Sequence, residues 1–255
     1  MGFVLPSCRM ANKFYQPGDR RAQVHTLFSG IAGRYDLIND VQSLGLHRCW
    51  KRRLARLVAC PPGGRALDLC CGTGDVARTL AGRGARIVGL DVSGPMLKVA
   101  SERLRRVPHA AARQPSPVQL IRGDALRLPF ADDSFDAVTI SYGLRNLAHV
   151  QEGLREMWRV TKPGGRLGVL DFGKPSNPVW RALYIGYLRL GVPVFGKLFC
   201  GDAEAYRYIL ESLHHFPSPQ GVAVQLNETG WRNPTIVSLL AGAMGLVCGE
   251  KPGRS

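Results

Sequence analysis

Nowhere in these 255 residues do about 18 apolar side chains follow one another, as a bilayer-spanning helix would require. No membrane span is therefore expected. Met1 to Pro6 is too short for the apolar core of a secretory signal, and Pro6 stands where N-myristoylation wants Ser or Thr. Acidic residues are scarce: 19 Asp and Glu face 34 Lys and Arg, a formal net charge of +15. An excess of this size suits an anionic membrane surface or nucleic acid. Arg-rich usage also follows from GC-rich codons, so charge alone selects neither. Cysteine is limited to seven, an odd number, and no two are spaced C-x-x-C. That excludes a disulfide framework and a zinc site. Reduced, buried thiols in a cytosolic protein are expected instead. Internal repeats and low-complexity tracts are absent.

What is present is ample material for a core, with 45% apolar and 21% charged residues. Residues 11–60 are basic and helical in pattern. Val24, Leu27, Phe28 and Ile31, then Tyr35, Leu37 and Ile38, predict an amphipathic helix over Gln23–Asp40 followed by a turn. Trp50, Leu54, Leu57 and Val58 share one face of a second helix, with Lys51, Arg52, Arg53 and Arg56 elsewhere. Pro61-Pro62-Gly63-Gly64 ends this region.

Strands and helices then alternate. Strands are expected at 65–70, 86–91, 118–122, 135–141 and 166–171, and helices at 75–81, 95–107 and 150–160. A Pro- and Arg-rich loop falls at 108–117. Strands separated by helices mean βαβ units and a doubly wound, mostly parallel α/β sheet. Residues 176–216, rich in Tyr, Leu and Gly, break the rhythm as a helical insertion. A helix at 219–229 and two strands near 234–239 and 244–249 close the chain. The expected organisation is one domain over 10–255: a helical cap (11–60), a cofactor-binding core (65–175), the insertion (176–216) and the final helix and strands (217–255).

The strongest local signal is Leu67-Asp68-Leu69-Cys70-Cys71-Gly72-Thr73-Gly74-Asp75, a strand running into a Gly-x-Gly turn that opens a helix. Glycines allow a sharp turn and close approach of a ligand, and free N–H groups at the helix start are donors. Asp91, ending the next strand, stands where a ribose-binding acid belongs. These residues imply an adenosine-containing cofactor and leave NAD and S-adenosyl-L-methionine both open. Three features favour the second. Asp68 inside the strand would repel a pyrophosphate but suits a sulfonium and an ammonium group. Asp124, in Gly123-Asp124-Ala125, can accept from an adenine amino group. A Pro-Gly-Gly turn at 163–165 leads into the fifth strand.

This pattern resembles the class I S-adenosylmethionine methyltransferase fold, which implies seven strands with the last antiparallel. A narrower resemblance runs from Val24 onward. Tyr35-Asp36 through Asn39, Ser43, His47 and Trp50 is similar to the N-terminal signature of the ubiquinone/menaquinone C-methyltransferase family. Tyr142-Gly-Leu-Arg145-Asn146 resembles its block after strand four. Arg159 to Gly165 with Val169 to Pro175 resembles its second signature, and Tyr206, Tyr208 and Phe216-Pro217 resemble the block beyond the insertion. Gln42, Ile38 and Asp171 depart from the family's usual residues. The resemblance implies that Gly72, Thr73, Gly74, Asp91, Asp124, Ala125 and Ser141, together with Asp68, line the cofactor site. It implies that Tyr35, Tyr142 and Tyr206 stand beside the substrate. That substrate would be a prenylated quinol: demethylmenaquinol first, with a benzoquinol or the phytyl naphthoquinol as alternatives.

A quinone ring is electron-poor, so the reduced quinol is the expected nucleophile. Arg145 would stabilise a developing phenolate and Asn146 would orient the hydroxyl. An arginine is a poor base at its normal pKa, so His47 or a water is the expected proton acceptor. No metal is expected. A basic RNA methyltransferase is the competing reading, but residues 48–58 offer one aromatic, Trp50, for base stacking, and no Asn-Pro-Pro-Tyr-type block follows strand four. Nucleic acid is thus not an expected partner. The apolar insertion, with the net charge, predicts peripheral contact with an anionic membrane at its inner face. A homodimer is the alternative use of that surface.

Overall fold

The computed structural model describes residues 20–106, 118–191, 212–213 and 216–253. Three helices come first: α1 (Arg20–Ile31), α2 (Tyr35–Ser43) and α3 (Leu46–Leu57). There follow β1 (Arg65–Leu69), α4 (Asp75–Ala81), β2 (Arg86–Asp91), α5 (Gly94–Arg105), β3 (Val118–Arg122), β4 (Phe135–Ser141), α6 (Val150–Val160) and β5 (Thr161–Phe172). Then come α7 (Pro178–Gly186), which runs into a π-turn at Tyr187–Gly191, α8 (Pro219–Glu228), β6 (Arg232–Leu239) and β7 (Met244–Glu250). The loop expected at 108–117 and much of the insertion lie outside the described residues.

The strands form one seven-stranded sheet in the order β3-β2-β1-β4-β5-β7-β6. β1 to β5 are mutually parallel, and β7 runs antiparallel between β5 and β6. Fold class and strand count are those the alternation and the resemblance imply. The alternation along β1 serves both faces. Leu67 and Leu69 join a cluster with Leu154, Met157 and Leu226 of α6 and α8, while Ala66 joins Leu54, Val76 and Leu80 of α3 and α4.

Helix starts follow from local chemistry. Ser93, Asn177 and Ser218 each accept a backbone N–H from the first turn of α5, α7 and α8, at 3.4, 3.0 and 3.3 Å. A proline follows within two residues in each case. A side-chain acceptor caps the orphan donor, and proline has the right φ without needing a partner.

Three expectations need correction. The single helix over 23–40 is two helices, broken by a turn at 32–34. Apolar spacing continues across the break, which is why periodicity alone joined them. Lys51 is not on an outer face: it is buried beside Asp75. The Pro-Gly-Gly bend lies inside β5 rather than ahead of it: Gly164 has φ of 77°, and the register against β4 shifts between Thr161 and Arg166. There Gly164 N–H donates to Lys251 O, and Lys251 N–H donates to Gly165 O.

Candidate active site

The carboxyl ends of β1, β2, β4 and β5 meet where the strand order reverses, between β1 and β4. In doubly wound sheets this crevice is where ligands bind. Here it holds a cavity of about 110 Å³ lined by Gly72, Asp91, Ser93, Asp124, Ala125 and Ser141 among others. The backbone is strained around it. Cys70 and Tyr142, neither a glycine, have φ of 50° and 57°, and both line the cavity. Such conformations persist where packing over-determines them and cluster at functional sites.

The glycine turn is held by acids. Asp91 Oδ2 accepts the Gly72 N–H and Oδ1 the Ser93 N–H, both at 2.8 Å. A carboxylate fixed at a strand end by two backbone donors is well placed for ribose hydroxyls. Gly72 has φ of 53°, and a Cβ there would meet nothing nearer than Tyr35 at 3.9 Å, so its missing side chain leaves room for a ligand. Asp124 Oδ1 accepts the Leu126 N–H at 3.0 Å, fixing its carboxylate on the wall. These residues fit an adenosyl cofactor.

Three residues expected in this site stand behind its wall. Asp68 is 1% exposed. Its Oδ2 accepts the Ala77 N–H at 3.1 Å and its Oδ1 the Thr139 hydroxyl at 2.8 Å. Burial raises its pKa to about 7, against the pull of Thr139 and Lys51. Thr73 donates its hydroxyl to Asp36 of α2. Gly74, with φ of 82°, opens α4 and packs on Ala100. All three shape the turn from outside the cavity.

A second cavity of about 470 Å³, almost wholly apolar, lies between α1 to α3 and α7. Three hydrogen bonds pin α7 over it: Trp180 Nε1 to Leu240 O, the Tyr184 hydroxyl to Ala243 O, and the Tyr187 hydroxyl to Gln42 O. Phe28, Tyr35 and Tyr142 line both cavities, so the two meet at an aromatic wall. Of the three tyrosines expected beside a substrate, Tyr35 and Tyr142 are in this wall, and Tyr206 lies outside the described residues.

Arg145 and Asn146 are split across that wall. Arg145 lines the apolar cavity and Asn146 the cofactor cavity. Arg145 is buried, with Nη1 donating to Asp171 Oδ1 and to Tyr142 O, each at 2.8 Å. Asn146 Nδ2 donates to the same Tyr142 carbonyl at 3.1 Å.

His47 also lines the apolar cavity. Its Nε2 lies 2.8 Å from Asp40 Oδ1, and its buried Nδ1 has no partner among the described residues. Burial, with the nearby Lys51 charge, pushes the His47 pKa down, and Asp40 only partly offsets this. In its neutral form the ring would donate Nε2–H to the Asp40 carboxylate and carry the lone pair on Nδ1.

Sequence reasoning missed Asp40, which orients His47, and the cluster of Lys51, Asp75, Arg103 and Asp36. Two signals were available: the Asp36/Asp40 pair one helical turn apart, and Asp75 directly after the glycine turn. Among the described residues no cluster of His, Cys, Asp or Glu could hold a metal, and no helix is long and apolar enough to cross a membrane. Cys60, Cys71 and Cys248 are buried free thiols, Cys70 is partly buried, and Cys49 is exposed.

The model of the ubiE/COQ5 methyltransferase family matches residues 16–251. The chain belongs to that family. It is 41% identical over 240 residues to the ubiquinone/menaquinone biosynthesis C-methyltransferase UbiE of Ectopseudomonas mendocina, covering 92% of each chain. It is 40% identical over 237 residues to the demethylmenaquinone methyltransferase of Desulfitobacterium hafniense, again covering 92% of each. In fold it is similar to a SAM-dependent methyltransferase, possible histamine N-methyltransferase, from Thermotoga maritima. The TM-score is 0.63 at 17% identity, covering 89% of this chain and 99% of that one. The protein is a methyltransferase.

Proposed function

We propose that the enzyme methylates a ring carbon of a prenylated quinol, with demethylmenaquinol as the acceptor and menaquinol as the product. One observation carries this reading: the small, acid-lined cavity and the large apolar one share the wall of Phe28, Tyr35 and Tyr142. A flat ring on an isoprenoid tail suits the second while its reacting carbon faces the first. The menaquinone branch is common to the names of both relatives. A benzoquinol and the phytyl naphthoquinol are the alternatives the same cavity would take.

S-adenosyl-L-methionine supplies an electrophilic methyl group on a good leaving group. The chain's part is to bind, orient and handle one proton. Asp91 would accept from the ribose hydroxyls and Asp124 from the adenine amino group, with Gly72, Ala125 and Ser141 forming the wall. Asp68, Thr73 and Gly74 hold the turn from behind. His47 would take the ring hydroxyl's proton at Nδ1, with Asp40 steadying the resulting cation. Once the carbon is methylated, its own proton moves to the phenolate oxygen to restore the aromatic quinol, so one proton is released in all. Arg145, locked by Asp171, offers positive charge to the phenolate oxygen. Asn146 holds the Tyr142 carbonyl and so fixes the strained wall between acceptor and donor. Tyr35, Tyr142 and Tyr206 are assigned to the substrate. Holding the reactants in line supplies much of the rate.

The tail keeps the substrate in a bilayer, so we place the enzyme at the inner face of the cytoplasmic membrane, as a peripheral protein. A homodimer through the insertion is the competing use of its apolar surface, and nucleic acid is not a partner in this reading. The test is incubation with labelled S-adenosyl-L-methionine and reduced demethylmenaquinone, oxidised demethylmenaquinone under air, or total RNA. Label is expected in the reduced quinone alone. Label in RNA, or equal turnover of the oxidised quinone, would overturn the reading.

A further inference from the structure

Leucine 44 sits at the turn between α2 and α3 with φ of 49°, a left-handed conformation that favours glycine, and it is 88% exposed. An apolar side chain at a conformational cost, touching almost nothing in its own chain, calls for a partner. It is not isolated. Leu37 (51%), Val179 (69%), Leu183 (62%) and Leu190 (75%) are exposed as well, and Leu46 less so. Leu44, Leu46 and Leu183 also belong to the lining of the large apolar cavity. These three are therefore both exposed and part of the cavity's lining, and they mark its mouth. Leu37, Val179 and Leu190 lie on the same two helical segments, α2 and α7 with its π-turn.

We propose that this rim, with the α2–α3 turn at its tip, docks the enzyme on an anionic lipid bilayer, with the cavity opening into the lipid. The inference rests on the prenylated acceptor proposed above, which must enter through this mouth. Charge supports it independently. Arg53 and Arg56 follow Leu46 along one strip of α3, a helix with no acid, and α7 has no acid either. The acids of α2 are both committed, Asp36 to Arg103 and Asp40 to Arg48. Exposed leucines flanked by cations, with no free carboxylate on α2, α3 or α7 among the described residues, match the boundary between acyl chains and anionic headgroups. A second copy of this chain fits less well. A two-fold contact sets each surface against itself, which would oppose the arginines and plug both cavities.

The experiment is flotation of the full chain with vesicles of phosphatidylglycerol and phosphatidylcholine, against phosphatidylcholine alone. Binding is expected to the first, to weaken with salt, and to be slight to the second. Leu44→Glu should weaken binding about tenfold or more without lowering the melting temperature, since the side chain is exposed. The double variant Leu37→Glu/Leu190→Glu, outside the cavity lining, should also lose binding. It should keep wild-type turnover of a tail-less quinol in solution and lose turnover of a long-tailed quinol embedded in vesicles.

Three results would overturn the proposal: no vesicle binding by the wild type, wild-type binding by both variants, or a dimer that Leu44→Glu splits while vesicle binding persists. The acceptor reading fails separately, if no quinol is methylated in solution or in vesicles while flotation still responds to the variants.

Discussion

Thr73, in the middle of the glycine turn, donates its hydroxyl to Asp36 of α2 at 2.7 Å. The same carboxylate takes a hydrogen bond from Arg103 of α5, which also reaches Asp75, and Asp75 pairs with buried Lys51 of α3 at 2.9 Å. Burial pushes the Asp75 pKa up, but Lys51 and Arg103 outweigh it and leave it at about 2. One charge network thus joins the cofactor turn to the helices that wall the apolar cavity. The two half-sites are not independently positioned.

Asp91 is expected to dominate cofactor affinity. Its carboxylate fixes the Gly72 and Ser93 N–H groups and faces the cavity. Asp91→Ala should weaken S-adenosyl-L-methionine binding by about 1.5–3 kcal/mol for each charge-assisted bond lost. Calorimetry checks this, and unchanged affinity would remove Asp91 from the site.

The Asp68 carboxyl predicts a pH effect on stability. Its folded pKa of about 7 lies above the ordinary 3.8. Between these values the folded state holds a proton that the unfolded chain has lost. This contribution is present below about pH 4 and is lost as pH rises through 7. Asp68→Asn should therefore flatten the fall in melting temperature between pH 5 and 8. Parallel melting curves for variant and wild type would contradict the assignment.

The ion pair of Arg145 with Asp171 and its proposed catalytic role can be tested separately. Arg145→Ala leaves Asp171 buried without its ion-pair partner, a defect that typically costs about 3–5 kcal/mol. Replacing both with leucine should restore much of the stability, because no lone charge remains. Turnover should stay lost in both variants. If the double variant recovers kcat with its stability, Arg145 is only scaffold.

His47 should set the acid limb of the kcat profile, below the usual histidine range because burial lowers its pKa. Asp40 raises that pKa and orients the ring. Asp40→Asn should lower kcat and shift the acid limb to still lower pH, with KM nearly unchanged. His47→Asn should abolish the limb. A limb unmoved in both variants would assign the proton to another acceptor.

Much of the fold was legible because strand and helix periods differ. α4, β2, β3, β4 and α6 begin and end where alternation and apolar spacing put them. The glycine turn and Asp91 were legible because that backbone conformation and acid placement have few other uses. What could not be read is of two kinds. Long-range pairings such as Lys51 with Asp75 or Arg145 with Asp171 leave no trace in local pattern. A buried lysine looks like any cation on a basic helix. The depth of Asp68 was also hidden: a strand acid facing a ligand and one facing Thr139 of the next strand have the same sequence.

The small acid-lined cavity is built from strand ends and the loops after them, whereas the apolar one is walled chiefly by the helices before β1 and after β5. Substitutions in α1 to α3 and α7 would therefore reshape the apolar chamber without touching the strand ends that build the other. The aromatic partition is the exception. Phe28 and Tyr35 come from the cap and Tyr142 from the end of β4, so a change on either side of the partition is felt in both cavities.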